Sequence, residues 1–175
     1  MKLIREVSTT DLLWVQPQVF TRHWELRSGD DIVASLNWER MTGSLATATA
    51  ADGQWTFKRT GFLNVRVHIR KAGSEQDIAV FYPKWTGTGT FEGTDGSRVV
   101  WFSKGFFHAE WGWKTEQDAE IMSLRNTMAL LRHGATLKVD PAFAGRRDLS
   151  LLALFGFYLT VMISEDAVAA AVVVS

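Results

Sequence analysis

Apolar and polar residues alternate along most of this chain. In 64–71, Val65, Val67 and Ile69 share one face and Asn64, Arg66, His68 and Arg70 the other. In 31–38, Ile32, Ala34, Leu36 and Trp38 fall on one side. In 107–114, Phe107, Ala109, Trp111 and Trp113 stand opposite His108, Glu110, Gly112 and Lys114. Period-two alternation marks half-buried antiparallel strands, whose successive side chains point to opposite faces. Turn residues punctuate the pattern at short intervals. Asp52-Gly53 and Asp95-Gly96 are the strongest hairpin signals, because glycine accepts the positive φ of a tight turn. The pattern predicts about a dozen strands, near 11–19, 22–27, 31–38, 45–51, 54–59, 64–70, 77–82, 87–92, 98–103, 107–114, 119–125 and 135–139. Many short strands at this spacing make a sandwich or a barrel. Ile121, Leu124, Met128 and Leu131 also recur at helical spacing, so 118–132 fits an amphipathic helix too; a strand at 119–125 is favoured because it continues the meander.

The pattern changes at Asp148, a candidate helix N-cap whose carboxylate would accept from free backbone N–H groups. No charge interrupts Leu149–Ile163. A helix apolar all round must be surrounded on every side, by protein or by a bilayer. Fifteen residues span about 22 Å, short of a hydrocarbon core of about 30 Å. Extension through Ala167–Val174 supplies the length but carries Glu165 and Asp166 into the slab, at about 2.5–3.5 kcal/mol for a charge near the centre. Arg146 and Arg147 suit the cytoplasmic flank of a tail anchor, which stays the alternative; a buried core helix is favoured. About a dozen strands close into a barrel too wide for its own side chains, and a helix about 10 Å across would fill it. The expectation is therefore one all-β domain over 1–175. It is a closed antiparallel β-barrel of about twelve strands around an apolar C-terminal α-helix at about 149–163, with no lipocalin-type ligand cavity.

Charge and composition narrow the function classes. Lysine plus arginine number 19 in 175 residues, as do aspartate plus glutamate. Without a basic surplus to displace counterions from phosphates, nucleic acid is not the expected partner. The absence of cysteine excludes disulfides, thiolate metal sites and a cysteine nucleophile. The first residues lack the unbroken apolar stretch of a secretory signal, so a cytoplasmic protein is expected.

The strand series, the aromatic segment Phe106-Phe107-His108-Ala109-Glu110-Trp111-Gly112-Trp113 and the closing helix that begins Asp148-Leu149-Ser150-Leu151-Leu152 resemble the tubby C-terminal-like superfamily. That group includes the plant LURP-one-related proteins and the phospholipid scramblases; the closing helix looks most like small bacterial members. The resemblance spans nearly the whole chain. It implies a twelve-stranded barrel around a central hydrophobic helix and, more loosely, a link to membrane lipids. Nothing matches a scramblase calcium segment.

The chemistry-bearing residues point away from catalysis. His23, His68, His108 and His133 form no metal-ligand spacing, and there is no nucleophile elbow or phosphate loop. His108 and Glu110 share a strand face and read as a solvated outer surface. A non-enzymatic domain without cofactor or metal is expected. Trp38, Trp55, Trp111 and Trp113 fall on apolar strand faces; Trp85 and Trp101 are the better candidates for exposure. One window stands out. Lys58, Arg59, Arg66, Arg70 and Lys71, with His68, occur between Phe57 and Lys71 without an acid. Arg66, His68 and Arg70 alternate on one face, about 7 Å apart, and could meet anionic phospholipid headgroups at a membrane periphery. The alternatives are a solvated face balanced by neighbouring acids, and a structural or protein-interaction module.

Overall fold

The computed structural model of the chain describes residues 1–7, 12–104, 110–129 and 132–174. Twelve strands follow in order: β1 (Leu12–Val15), β2 (His23–Ser28), β3 (Asp31–Trp38), β4 (Ala46–Ala50), β5 (Gly53–Thr60) and β6 (Arg66–Lys71), then β7 (Asp77–Pro83), β8 (Gly89–Gly93), β9 (Arg98–Lys104), β10 (Glu110–Lys114), β11 (Glu120–Ala129) and β12 (Arg132–Val139). Each pairs antiparallel with its chain neighbours. β1 also pairs with β12, Leu12 opposite Leu137, so the sheet closes without a free edge. β11 resolves the 118–132 ambiguity as strand: Leu124 lies between Trp111 of β10 and Leu137 of β12, so the backbone is paired on both sides.

The helix α1 (Leu149–Val174) threads the barrel. It is longer than the segment expected at 149–163. Asp148 sits at its boundary, its carbonyl accepting from the Leu152 N–H, while its carboxylate takes two bonds from the Arg146 guanidinium. Residues 149–162 are buried and 166–171 exposed. The interior is aromatic. Phe157 stacks on Trp14 at 4.3 Å, Tyr158 on Trp38 at 5.5 Å, and Phe155 meets Phe57, Phe81 and Trp113 at 5.0, 5.5 and 5.9 Å. Small residues on β4, Ala46, Ala48 and Ala50, let the helix pass close to that wall. Hydrogen bonds tie its buried part to the barrel. Trp113 Nε1 donates to the Leu152 carbonyl at 2.9 Å, the Tyr158 hydroxyl to the Ser44 carbonyl at 2.8 Å, and Ser150 Oγ to Asp52 Oδ2 at 3.0 Å.

Four expectations need correction. A register shift between Leu26 and Arg27 opposes Ala34 and then Ile32, so Val33 turns inward and Ile32 outward. Trp101 is fully buried, lying flat against Trp111 at 5.8 Å. Gly96 takes a positive φ of 86°, whereas Gly53 does not and simply begins β5. Finally, the helix does not fill the barrel completely. A cavity of about 820 Å³ remains beside its C-terminal half. Phe107, His108 and Ala109 lie outside the described residues.

Candidate functional site

In an up-and-down barrel, successive connections fall at alternate ends. β12 delivers the chain to one end, where Ser150 meets Asp52 of the β4–β5 turn. α1 then runs back through the interior and emerges at the other end. There Arg22 of the β1–β2 connection holds Glu165 through two bonds, at 2.6 and 2.7 Å, and Arg59 holds Asp166 likewise at 2.6 and 3.0 Å.

The two ends differ sharply in chemistry. At the end where the helix begins, the β12–α1 connection brings Arg146 and Arg147 and the N-terminal segment brings Lys2, bonded to Asp31, while the hairpin turns are 29–30, 51–52, 72–76, 94–97 and 115–119. They carry Asp30, Asp52, Glu75, Asp95, Glu116 and Asp118, and no lysine or arginine. At the end where the helix emerges, the described connections present Phe20, Met41, Phe62, Leu63 and Trp85. Together with Val168 of the emerging helix these are the most exposed large apolar side chains among the described residues, 65–98% exposed. Arg40, Lys84 and Arg66 stand at the same end, all exposed, and Glu39 is exposed beside Arg40. Their concentration at one end of the barrel makes that end the candidate interaction surface. Phe20 also holds a φ of 71°, a left-handed conformation that costs a bulky residue energy, while 87% of it is exposed to water. Sequence alternation missed this rim because its residues lie in turns, outside any strand period. The signal available was large apolar residues set among turn formers, as in Gly61-Phe62-Leu63-Asn64 and Lys84-Trp85-Thr86-Gly87.

The basic window divides in three. His68 and Arg70 stand on the outer face of β6, as alternation predicted, but both bond Asp77 of β7. His68 Nδ1 lies 2.6 Å from Asp77 Oδ2, and Arg70 Nε donates to Oδ1 at 2.6 Å. Burial pushes the Asp77 carboxyl up, yet the bonds from Arg70 and His68 outweigh it and hold the group below the usual carboxylate range. Arg70 also reaches Glu75 at 2.8 Å. Arg59 departs from the outer stripe and turns to the helix, where its bond to Asp166 raises its pKa. Arg66 lies 5.4 Å above the Tyr82 ring, with its residue exposed at the apolar end. Lys58 is exposed opposite His68, and Lys71 is exposed at the far end of β6. The window is thus acid-free in sequence and partly neutralised in space, by acids supplied from β7 and α1. Trp85, expected to be exposed, is 98% exposed and belongs to the apolar rim.

Comparison of the chain with protein families, with curated proteins and with solved structures finds no match.

Proposed function

We propose that this barrel is a non-enzymatic, membrane-peripheral domain that docks on anionic phospholipid through its apolar end. The observation that carries the reading is the coincidence, at one end only, of exposed Phe20, Met41, Phe62, Leu63 and Trp85 with Arg40, Arg66 and Lys84. The opposite end is mixed in charge, its turn acids standing beside Lys2, Lys71, Lys114, Arg146 and Arg147, and among the described residues it lacks the exposed aromatic side chains, so the apolar side chains select the orientation. A lipid interface accepts both halves of the rim at once: aromatic and aliphatic tips at the headgroup–acyl boundary, and cations at phosphates. The closed twelve-strand barrel around one apolar helix is also the arrangement implied by the tubby-like resemblance, which supports a lipid partner by analogy.

Magnitudes make the attachment reversible. Each basic group near an anionic surface contributes about 1 kcal/mol. Full burial of a large apolar side chain is worth about 1.5–3 kcal/mol, and shallow insertion gains only part of that. The sum resembles the marginal hold of a single acyl anchor.

The test is co-sedimentation with neutral phosphatidylcholine vesicles and with mixed phosphatidylcholine/phosphatidylserine vesicles. Wild type should sediment with the anionic vesicles, less so as salt rises. Phe62→Ser/Trp85→Ser and Arg40→Ala/Arg66→Ala/Lys84→Ala should each abolish it. Arg70→Ala should change it little, because Asp77 already neutralises that guanidinium. Wild type that ignores anionic vesicles at low salt, or dimerises through this end instead, refutes the proposal.

A further inference from the structure

We infer that the cavity beside the C-terminal half of α1 is a binding site for one acyl chain with an anionic head. The inference goes beyond the docking reading and does not depend on it, because a chain dissolved in water could enter as well as one drawn from a bilayer.

The cavity follows from the residues that surround it. At the level of Phe155, aromatic rings from β5, β7, β8 and β10 pack against the helix. One to two turns nearer the apolar end, the helix presents Leu159, Met162 and Ile163 toward Val65 and Val67. These aliphatic side chains are too short to span the space that rings occupy below, and Trp111 closes the far wall. At the β7–β8 connection, a Cβ on Gly87 would lie 3.0 Å from Trp111 Cη2 and 3.9 Å from Ile163 Cδ1, so bare backbone forms that part of the lining.

Size and polarity identify the class of ligand. The volume, about 820 Å³, lies within the usual range of small-molecule sites. At about 30 Å³ per methylene-sized unit, a sixteen-carbon chain needs roughly 480 Å³. Of the polar residues on the lining, Tyr158 spends its hydroxyl on the Ser44 carbonyl and Thr160 its hydroxyl on the Phe157 carbonyl, so the stretch along Val65, Val67, Leu159, Met162 and Ile163 suits a hydrocarbon, with Asn126 beside it. Charged groups gather at the mouth. There Lys84 is exposed, and Arg59 and Asp166 largely satisfy one another. Those three carry a net positive charge, so the head that fits is an anion. Trp85, also at the mouth, can cover the chain where it leaves the protein.

The test is calorimetric titration with monomeric fatty acids of increasing length. Affinity should rise about 4-fold per added methylene from octanoate to dodecanoate, the increment of hydrocarbon transfer. Lys84→Glu should weaken dodecanoate by up to about 5-fold while leaving dodecanol unchanged. Val65→Trp fills the cavity from its edge and should abolish dodecanoate binding at an unchanged melting temperature; Ile163→Phe serves if that variant does not fold. Phe20→Ser/Phe62→Ser, outside the cavity, should lose vesicles and keep dodecanoate. Wild type that binds dodecanoate but not vesicles sinks only the docking reading. An affinity independent of chain length, or a folded Val65→Trp protein that binds dodecanoate like wild type, overturns the acyl site.

Discussion

A single added methyl at Gly156 should destabilise the barrel, against the ordinary rule for helices. Replacing glycine by alanine inside an exposed helix gains about 1 kcal/mol of backbone entropy and propensity. At Gly156 the new Cβ would lie 2.8 Å from Trp113 Nε1, 3.1 Å from Trp101 Cζ3 and 3.2 Å from Leu124 Cδ1. The nearest of these cannot withdraw freely. The Trp113 indole is fully buried, donates to the Leu152 carbonyl at 2.9 Å, and is held between Trp101 at 4.8 Å and Phe155 at 5.9 Å. Overpacking a well-filled core by one carbon costs about 1–3 kcal/mol. Pulling the indole off its carbonyl would cost about 0.5–1.5 kcal/mol more. The expected net loss is about 1–3 kcal/mol, which for a chain of this length lowers Tm by roughly 2–4 °C per kcal/mol. Thermal unfolding followed by near-ultraviolet circular dichroism reads both the shift and the disturbed tryptophan packing; Gly156→Val should fall further. A Gly156→Ala protein that melts higher than wild type would show that the helix does not press on these tryptophans.

Other perturbations separate packing from charge and from function. Leu154 is fully buried, so Leu154→Asp places an unpaired carboxylate in the barrel centre and should leave the protein unfolded or insoluble; a soluble variant with wild-type melting would refute the central position of the helix. The folded-state pKa of Asp77 lies below its unfolded value, so its stabilisation is present above about pH 4 and is lost as pH falls through the folded pKa. The Tm gap between wild type and Asp77→Asn should therefore be widest near neutral pH and shrink on acidification, and a gap that widens in acid would contradict the pairing. Phe20→Gly relieves a left-handed φ worth about 1–2 kcal/mol against a glycine entropy cost of about 0.5–1 kcal/mol, so Tm should hold or rise slightly while vesicle binding weakens; a fall in Tm, or undiminished vesicle binding, counts against the strain or the docking role respectively.

The strand series was legible because one face of nearly every strand meets a dry interior and the other meets water. Alternation placed Trp38, Trp55, Trp111 and Trp113 inside correctly for that reason. It failed where a residue count is not a face count. The shift opposite Leu26 leaves Val33 as an extra residue in β3, which turns inward in place of Ile32, and strict period two has no means of registering such an insertion within the strand. Trp101 looked available because its segment, Val99-Val100-Trp101-Phe102, is apolar on both faces and shows no alternation to read. The basic window illustrates a different limit. Asp77 stands seven residues beyond Arg70 in sequence and on the adjacent strand in space, so its neutralising role depends on strand pairing that composition does not encode. The apolar rim is illegible for the same reason in reverse: Phe20, Met41, Phe62 and Trp85 are scattered over the chain and come to one end of the barrel only because alternate hairpins turn there.

The polarity of α1 explains how one segment can read as both core helix and membrane span. From Leu149 to Ala171 it is long and apolar enough to cross a bilayer, yet most of that length is buried within the barrel. The change occurs at Ser164-Glu165-Asp166. There the apolar surface stops being covered, and the two acids are drawn onto Arg22 and Arg59 at the barrel mouth. Arg22 fixes the depth most firmly. Its side chain is only 8% exposed, it donates to the Arg40 and Gly43 carbonyls, and its guanidinium lies 4.9 Å above the Trp38 ring, so Glu165 meets a cation that cannot follow it outward. Sliding the helix toward a membrane would break both ion pairs, drag aromatic residues out of the core and leave the Arg22 charge without its carboxylate. Beyond Glu165 the helix leaves the barrel, and residues 166–171 are exposed where 149–162 are buried. A segment that passes as a membrane span by composition is thereby held as a core helix, with its acid pair marking the plane where the barrel interior ends and the exposed part of the helix begins.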